Sequence, residues 1–319
     1  MPDGLSDIDL EWVGEQELPA WFIRALEVPR KEGFVDVDGV KMHYFEWGDP
    51  AAPPVLMAHG FLSHARSFAF IAPYLSQDFR VVAYDLSGMG DSGVRVGCNM
   101  AGRADEMIGI ARALGMLDGQ QKPIVVGHSF GAKVALNALG RAGDALAGAV
   151  ICDLMVLRPS ALEAFWSGER IGPGSGDPDR PHRRYPDYAT ARPRYVLSPP
   201  QPVGQPILMD YMAYHSLRRD GDALVWKFSP EVFRRENDRD QWRQIAGQLV
   251  ATPGRKAIIY GESSGLFTPD SAAYLRELGG IGIPTIGIPQ AHHHLMLDEP
   301  LAFVTALRTQ LYVWSGRSV

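Results

Sequence analysis

The sequence predicts an α/β protein with a mostly parallel, eight-stranded sheet flanked by helices. Eight short apolar runs, bounded by turn-forming residues, have the length and composition of β-strands. Helical patterns lie between several of these runs. An alternation of strands and helices is typical of parallel sheets, whose strands are buried on both faces.

The first two runs predict a hairpin, and the other six predict buried strands. "GFVDVDG" and "VKMHYFEWG" (residues 33–48) alternate in polarity and meet at Asp38-Gly39, a pair favoured in hairpin turns. The remaining runs are "PVLMAHG", "FRVVAYDL", "PIVVGHS", "AGAVICDL", "KAIIYGES" and "IPTIGIP". Helical spacing of apolar residues predicts a helix over residues 104–117, and two more in "AAYLRELGG" and "LAFVTALRTQLYVW".

The strand–helix alternation stops between Leu154 and about Val250. A disordered linker is one interpretation of this stretch, but its many Trp, Tyr, Phe and Met residues argue against disorder, which requires low hydrophobicity. We therefore expect a cap over residues 154–250, inserted before the last two strands. Residues 1–153 and 251–319 would then form the core domain.

Composition limits the classes of partner. Of the 319 residues, 46% are hydrophobic and 21% are charged, and the net charge of −6 gives no reason to expect nucleic acid or an anionic membrane as partner. The two cysteines, Cys98 and Cys152, provide neither a disulfide framework nor zinc-type spacing. The acidic N-terminal segment lacks the features of a signal peptide, and no run of about 18 apolar residues predicts a membrane span. We expect a cytoplasmic protein that acts on a small molecule, and the sequence is compatible with a homodimer.

The segment "VVGHSFGAKVAL" (residues 125–136) predicts an exposed nucleophile. Gly127, Ser129 and Gly131 form a G-x-S-x-G pattern that follows a strand and opens a helix. A serine at such a sharp turn stands clear of the backbone, and the crowded positions on either side require glycine. The free N–H groups at the start of the helix favour negative charge at the same place.

A second segment predicts an oxyanion hole, which needs two backbone donors aimed at the substrate oxygen. His59-Gly60-Phe61 leaves the first parallel strand at the carboxyl edge of the sheet. We expect the N–H groups of Phe61 and Phe130 to be the two donors. His59 itself is expected to brace the loop by hydrogen bonds.

The general base must be a histidine late in the chain, where "IPQAHHHLMLDEP" offers His292, His293 and His294. Three adjacent histidines could suggest a metal site. Neighbours in sequence point in different directions and rarely chelate one ion together, so one base with two flanking histidines is the better interpretation. Neither a metal nor an organic cofactor is expected.

These motifs together resemble those of the α/β-hydrolase family. "HGF" after a strand, "YDLSGMGDSG", "GHSFG" and "AHHHLMLDEP" occur in the order typical of that family, over roughly residues 34–313. The resemblance implies that the base lies seven residues before Pro300, which is His293. It also implies that Asp85 has a structural role in shaping a loop beside the active site.

The acid that orients the histidine departs from the pattern of many relatives. In those relatives an aspartate follows the strand after the cap, where this sequence has Ser264 in "IIYGESSGLF". Other relatives carry the acid at the end of the strand before the cap, and Asp153 in "AVICDLMV" matches that position. A serine cannot stabilise an imidazolium as a carboxylate does, so we expect Asp153 to be the acid. Glu262 and Asp270 are the alternatives.

The predicted function is a serine hydrolase that cleaves a carboxylic ester or a lactone through a Ser129–His293–Asp153 triad. A carbon–carbon bond hydrolase of a ring-cleavage product is an alternative, as is a small-molecule receptor of the same fold. Trp166, Tyr188, Tyr214 and His294 could line the substrate pocket, although cap aromatics can equally form the cap's own core. The arginine-rich run at residues 180–194 is usually a solvated face, but it could attract an acidic substrate.

Overall fold

The computed structural model describes residues 10–14, 16–167, 177–234 and 239–316. Its centre is an eight-stranded, mostly parallel sheet, which confirms the predicted fold class. The eight strands are β1 (Lys31–Val37), β2 (Val40–Trp47), β3 (Pro54–Ala58), β4 (Arg80–Tyr84), β5 (Ile124–His128), β6 (Gly148–Cys152), β9 (Lys256–Gly261) and β10 (Thr285–Ile288). A separate two-stranded sheet contains β7 (Leu217–Asp220) and β8 (Ala223–Trp226).

The strand order in the main sheet is β1-β2-β4-β3-β5-β6-β9-β10. Strands β1 and β2 form an antiparallel hairpin, and β2 pairs antiparallel with β4. All the other pairs are parallel. The hairpin turns at Asp38 and Gly39, whose φ angles are 51° and 80°. The common two-residue turn of a hairpin has positive φ at both positions, which Asp-Gly adopts readily.

Twelve α-helices are described outside the sheets. They are α1 (Leu10–Val13), α2 (Ala20–Leu26), α3 (Ala72–Leu75), α4 (Met100–Ala113), α5 (Phe130–Ala142), α6 (Pro159–Ser167), α7 (Tyr188–Ala191), α8 (Pro206–His215), α9 (Arg239–Ala251), α10 (Pro269–Glu277), α11 (Leu295–Asp298) and α12 (Pro300–Ser315). Within the described part of the chain, no helix has the length and apolar character needed to cross a membrane.

Helix α4 differs from its prediction at both ends. It begins earlier than residue 104 because the Asn99 side chain caps it by accepting a hydrogen bond from the N–H of Gly102. It ends before residue 117 because Gly115 turns the chain with φ 65°. The apolar periodicity continues past this turn, since Met116 is also buried.

Two apolar clusters cover the two faces of the sheet. Alternate residues of each central strand point to opposite faces, so Val55 of β3 belongs to one cluster and Leu56 to the other. The first cluster includes side chains of α2, α3, α8 and α12, and the second includes side chains of α4, α5, α9 and α10. This burial on both faces explains why the central strands are continuous apolar runs in the sequence.

The chain between β6 and β9 contains α6 to α9 and the β7–β8 hairpin. Helix α8 packs into the first cluster, and α9 packs into the second. The division into a core and a cap over residues 154–250 stays a prediction.

Candidate active site

Ser129 occupies the turn between β5 and α5, with φ 54° and ψ −115°. At this turn the backbone approaches other segments so closely that no side chain fits at the positions two residues before and two residues after the serine. A Cβ atom on Gly127 would lie 2.0 Å from the carbonyl oxygen of Gly131, and one on Gly131 would lie 2.3 Å from that of Ala58. Glycine is therefore required at both positions, as the G-x-S-x-G pattern predicts.

The side chains of Ser129, His293 and Asp153 form one hydrogen-bonded chain. His293 Nε2 lies 2.9 Å from Ser129 Oγ, and His293 Nδ1 lies 2.9 Å from Asp153 Oδ1. An ionised carboxylate can only accept hydrogen bonds, so Nδ1 carries the proton and Nε2 presents its lone pair to the serine hydroxyl. This tautomer is the one that a general base needs.

Asp153 is completely buried at the end of β6, where three donors serve its carboxylate. Besides His293, the hydroxyl of Ser264 donates to Oδ1 at 2.6 Å, and the N–H of Gly261 donates to Oδ2 at 2.9 Å. A buried carboxylate is costly unless its lone pairs are satisfied. These bonds satisfy the lone pairs of the carboxylate and fix its orientation toward His293.

The two alternative acids lie elsewhere. Glu262 is exposed, and its side chain lies over Gly287, where a Cβ atom would be 2.8 Å from Glu262 Oε1. Asp270 forms an exposed ion pair with Arg158, at 3.0 Å. Ser264, at the position where many relatives have the aspartate, contacts Asp153 instead of His293.

Of the two histidines that flank His293, the structure brings only His294 to the cavity beside Ser129. His294 is half-buried, and desolvation of its ring, followed by the neighbouring His293 and His128, lowers its pKa well below the ordinary value, so its ring is neutral. The N–H of His292 donates to Asp298 Oδ2 at 2.7 Å, which anchors the loop at the start of α11.

His128 is a residue of the site that the sequence analysis missed. Its Nε2 donates to the carbonyl oxygen of His293 at 2.8 Å, and the two rings lie 4.8 Å apart. Burial lowers the pKa of His128 to about 3, so it supports the His293 backbone as a neutral donor. Its position directly before Ser129 could have indicated this role, because a polar side chain at the end of β5 lies close to the other residues of the site.

The loop after β3 lies against the nucleophile turn, as the predicted oxyanion hole requires. The phenyl rings of Phe61 and Phe130 pack edge to face, with centroids 5.5 Å apart. A Cβ atom on Gly60 would lie 3.5 Å from Ser129 Cβ. His59 accepts a hydrogen bond from the N–H of Leu86 at 3.0 Å, and its other ring nitrogen donates to the carbonyl of Gly60 at 2.7 Å. These bonds brace the loop.

Asp85 joins several loops beneath the site. It accepts hydrogen bonds from His43 at 2.8 Å, from the N–H of Ala65 at 2.6 Å and from the N–H of Asp91 at 2.8 Å. Burial lowers the pKa of His43, but the hydrogen bonds to Asp85 and Glu32 outweigh burial and raise it to about 9. His43 is therefore positively charged near neutral pH, and it compensates the buried Asp85 carboxylate.

One group among the described residues, His43, Asp85 and Asp91, has possible metal-ligand atoms within 4.8 Å of one another. Both ring nitrogens of His43 already bond to carboxylates, at 2.8 and 2.9 Å. A protonated imidazole offers no lone pair, so these residues fit an ion pair better than a metal.

A cavity of about 70 Å³ adjoins Ser129, and we call it the inner cavity. Its walls come from the loop after β3, from residues 195–198, and from Met212, His294 and Leu297.

Of the four residues predicted for the substrate pocket, the structure brings His294 to the inner cavity and places Trp166, Tyr188 and Tyr214 elsewhere. Trp166 packs with Leu162 and Leu266 in a separate apolar cluster. The rings of Tyr188 and Tyr214 pack edge to face within the first core cluster. These aromatics stabilise the segment that follows β6 rather than face the nucleophile.

The comparisons with known proteins agree with this architecture. A model of the family described as "Alpha/beta hydrolase family" matches residues 55–307, which is most of the chain. The chain belongs to the α/β-hydrolase family. The recognition made from its motifs is thereby confirmed.

Individual relatives match parts of the chain. Epoxide hydrolase A of Mycobacterium tuberculosis is 36% identical over 114 residues, which cover 34% of this chain and 33% of that protein. The bifunctional esterase/perhydrolase DCH of Acinetobacter calcoaceticus is 36% identical over 117 residues, which cover 36% of this chain and 41% of that protein. The chain spans 14% to 57% of the length of eight curated relatives that it matches.

Among solved structures, E-2-(acetamidomethylene)succinate hydrolase superposes with a TM-score of 0.72 at 21% sequence identity, covering 88% of this chain and 99% of that one. At that identity the likeness shows a common fold.

The close backbone approach at the nucleophile turn predicts that Gly131→Ala lowers the free energy of unfolding by at least about 1–3 kcal/mol, because the new methyl group meets backbone that cannot move aside cheaply. Gly247→Ala, in α9, is the matched control: nothing lies within 4 Å of its Cβ position, and the change should stabilise by about 0.5–1 kcal/mol. Urea unfolding measures both values. Equal effects at the two positions would contradict the packing described here.

Proposed function

We propose that the protein is a serine hydrolase that cleaves a carboxylic ester or a lactone through an acyl-enzyme. The observation that carries this proposal is the hydrogen-bonded chain from Ser129 Oγ through His293 to Asp153, with both links at 2.9 Å. A serine hydroxyl is a weak nucleophile by itself, and an adjacent base in the correct tautomer activates it. The partial relative named as an esterase/perhydrolase is consistent with ester chemistry.

In the acylation step, Ser129 Oγ attacks the acyl carbon while His293 Nε2 takes its proton. The imidazolium that forms keeps its Nδ1–H bond to Asp153, whose negative charge offsets the new positive charge. His293 then gives its proton to the leaving alkoxide as the ester C–O bond breaks. Water attacks the acyl-enzyme with His293 again as base, which releases the acid and restores Ser129.

The tetrahedral intermediate needs donors for its oxyanion. The N–H groups of Phe61 and Phe130 are our candidates, because the loop after β3 lies beside the first turn of α5. The N-terminus of this 13-residue helix favours the same negative charge. Fixed donors of this kind lower the barrier because they need not reorient during the reaction.

A serine at position 129 disfavours epoxide opening, despite the partial match to an epoxide hydrolase. Opening an epoxide is a displacement at carbon, and it needs a carboxylate nucleophile that forms an alkyl ester. Here the corresponding position bears a hydroxyl linked to a base, an arrangement suited to acyl transfer.

Replacing the nucleophile tests the proposal. Ser129→Ala should lower kcat for a p-nitrophenyl ester by about 10⁴-fold or more, and His293→Ala should lower it as severely, since the members of a triad act as a unit. Thermal unfolding should show an unchanged fold for Ser129→Ala, because the side chain is partly exposed. Turnover at the wild-type rate in Ser129→Ala would refute the catalytic mechanism.

The acid assignment is tested by comparing Asp153→Asn with Glu262→Gln, since both changes keep shape and remove charge. Asp153→Asn should lower kcat by up to about 10⁴-fold, because an amide can stabilise the wrong tautomer of His293 and cannot offset the imidazolium. Glu262→Gln should change kcat by less than about tenfold, because this exposed side chain lies over Gly287 and away from the base. If Glu262→Gln abolishes turnover and Asp153→Asn does not, the acid lies after β9.

A further inference from the structure

A larger cavity lies directly beside the inner cavity, and we call it the outer cavity. Its volume is about 490 Å³, and it shares the side chains of Leu62, Tyr195 and Val196 with the inner cavity. A substrate bound with its acyl carbon at Ser129 would therefore extend past these three residues into the outer cavity.

The outer cavity carries an excess of positive charge. Among the described residues, its charged lining consists of Asp177, the one carboxylate, and of four cations, Arg180, Arg183, Arg194 and Lys227. Lys227 Nζ bonds to Asp91 at 2.7 Å, and the Arg183 guanidinium lies 5.5 Å from the centre of the Tyr185 ring. Lys227 is thus paired with a carboxylate, whereas Arg183 contacts an aromatic ring.

Arg180 and Arg194 differ from Arg184 and Arg192 of the same stretch. Arg184 bonds to Asp220 and Asp222, and Arg192 bonds to Asp210. For Arg180 and Arg194, by contrast, the described parts of the chain provide no ion pair. Both arginines are exposed and line the cavity, so their guanidinium donors are available to an anion that enters it.

The cavity wall also contains a buried polar group with an unused acceptor. His64 is 3% exposed, and burial lowers its pKa to about 3, so its ring is neutral. The Ser216 hydroxyl donates its proton to the carbonyl of Met212 at 2.7 Å, so the His64 Nε2–H must donate to Ser216 Oγ, at 3.0 Å. His64 Nδ1 is then a bare acceptor, and among the described residues it has no hydrogen-bond partner. This nitrogen is itself buried, and an anion brings acceptors rather than donors, so His64 shapes the wall of the cavity and takes no part in holding the anion.

We infer that the outer cavity is a subsite for an anionic group at the far end of the substrate, held by Arg180 and Arg194 while the scissile ester lies at Ser129. This assignment rests on the proposed esterase function and names its substrate class: esters whose acyl chain ends in a carboxylate or a phosphate-like group. The planar guanidinium matches both anions through paired N–H donors.

The surrounding side chains fit a chain that is apolar between its two ends. The outer cavity is also lined by apolar side chains, namely those of Leu62, Val196, Trp226 and Phe228. An aliphatic linker would pack against these residues, and only its terminal charge would need the arginines. The positive charge would also attract the anion over a distance of about 8 Å at physiological ionic strength, which predicts a salt-dependent kcat/KM.

The test uses p-nitrophenyl hemiesters of adipic, suberic and sebacic acid, each paired with its methyl-capped neutral diester. At low ionic strength, wild-type kcat/KM should be about tenfold higher for at least one hemiester than for its capped partner, a ratio that corresponds to about 1.4 kcal/mol. Added salt should reduce this ratio, because it screens partly exposed charges. An ω-phosphonate ester of the same length distinguishes a phosphate-like terminus from a carboxylate.

The double variant Arg180→Gln/Arg194→Gln should bring the ratio of charged to capped ester close to one. Arg219→Gln is the matched control, since Arg219 is an exposed arginine of β7 that does not line the cavity, and it should keep the wild-type ratio. A wild-type ratio near one for every chain length and both anions would overturn the subsite. A ratio that is unchanged in the double variant, or lost in Arg219→Gln as well, would also overturn it.

A binding measurement separates this inference from the proposed activity. Calorimetry on Ser129→Ala should detect adipate, suberate or an alkyl phosphonate, with affinity lost when Arg180→Gln/Arg194→Gln is added. If Ser129→Ala retains ester turnover, the hydrolase mechanism fails whatever the binding shows. If Ser129→Ala abolishes turnover but no dianion binds, the hydrolase stands and the subsite is refuted.

Discussion

The carboxylate of Asp153 is the point at which three separated segments of the chain meet. Asp153 directly follows β6. Gly261, the last residue of β9, and Ser264, just after it, donate to the carboxylate, and His293 donates from the loop after β10. This meeting depends on the parallel order β6-β9-β10, which brings the carboxyl ends of all three strands to one edge of the sheet. Strand β5 also ends at this edge, and Ser129 follows it. The fully buried Asp153 can therefore orient His293, which reaches the partly exposed Ser129.

The surroundings of His293 fix it from both sides without adding a competing charge. His128 holds the backbone of His293, and burial keeps the pKa values of His128 and His294 below the ordinary value, so both rings are neutral. A second cation beside His293 would oppose formation of the imidazolium during catalysis. Arginines line the outer cavity instead, and in the proposed mechanism this positive charge would act on a substrate without destabilising the base.

Much of this arrangement could be predicted from the sequence because it depends on local patterns. Apolar runs gave the strands, and the spacing of Gly127, Ser129 and Gly131 gave the turn. The absence of a carboxylate at Ser264 directed attention to Asp153. That Ser264 donates to Asp153 could not be predicted, since it depends on which side chains meet across β6 and β9. The positions of Trp166, Tyr188 and Tyr214 in apolar clusters away from the inner cavity could not be predicted, because the insertion after β6 has no regular periodicity to show which face its aromatics bury. Helix α4 was displaced because its limits depend on a cap at Asn99 and a turn at Gly115.

The central claim is that Ser129 is the nucleophile and that the backbone beside it stabilises an oxyanion. A crystal structure of the protein after reaction with a p-nitrophenyl alkylphosphonate tests this most directly, because the tetrahedral phosphorus adduct mimics the acylation intermediate. We expect phosphorus bonded to Ser129 Oγ, one phosphoryl oxygen within hydrogen-bonding distance of the N–H groups of Phe61 and Phe130, and His293 still bonded to Asp153. An adduct on another residue, or a phosphoryl oxygen that points away from both N–H groups, would contradict the account.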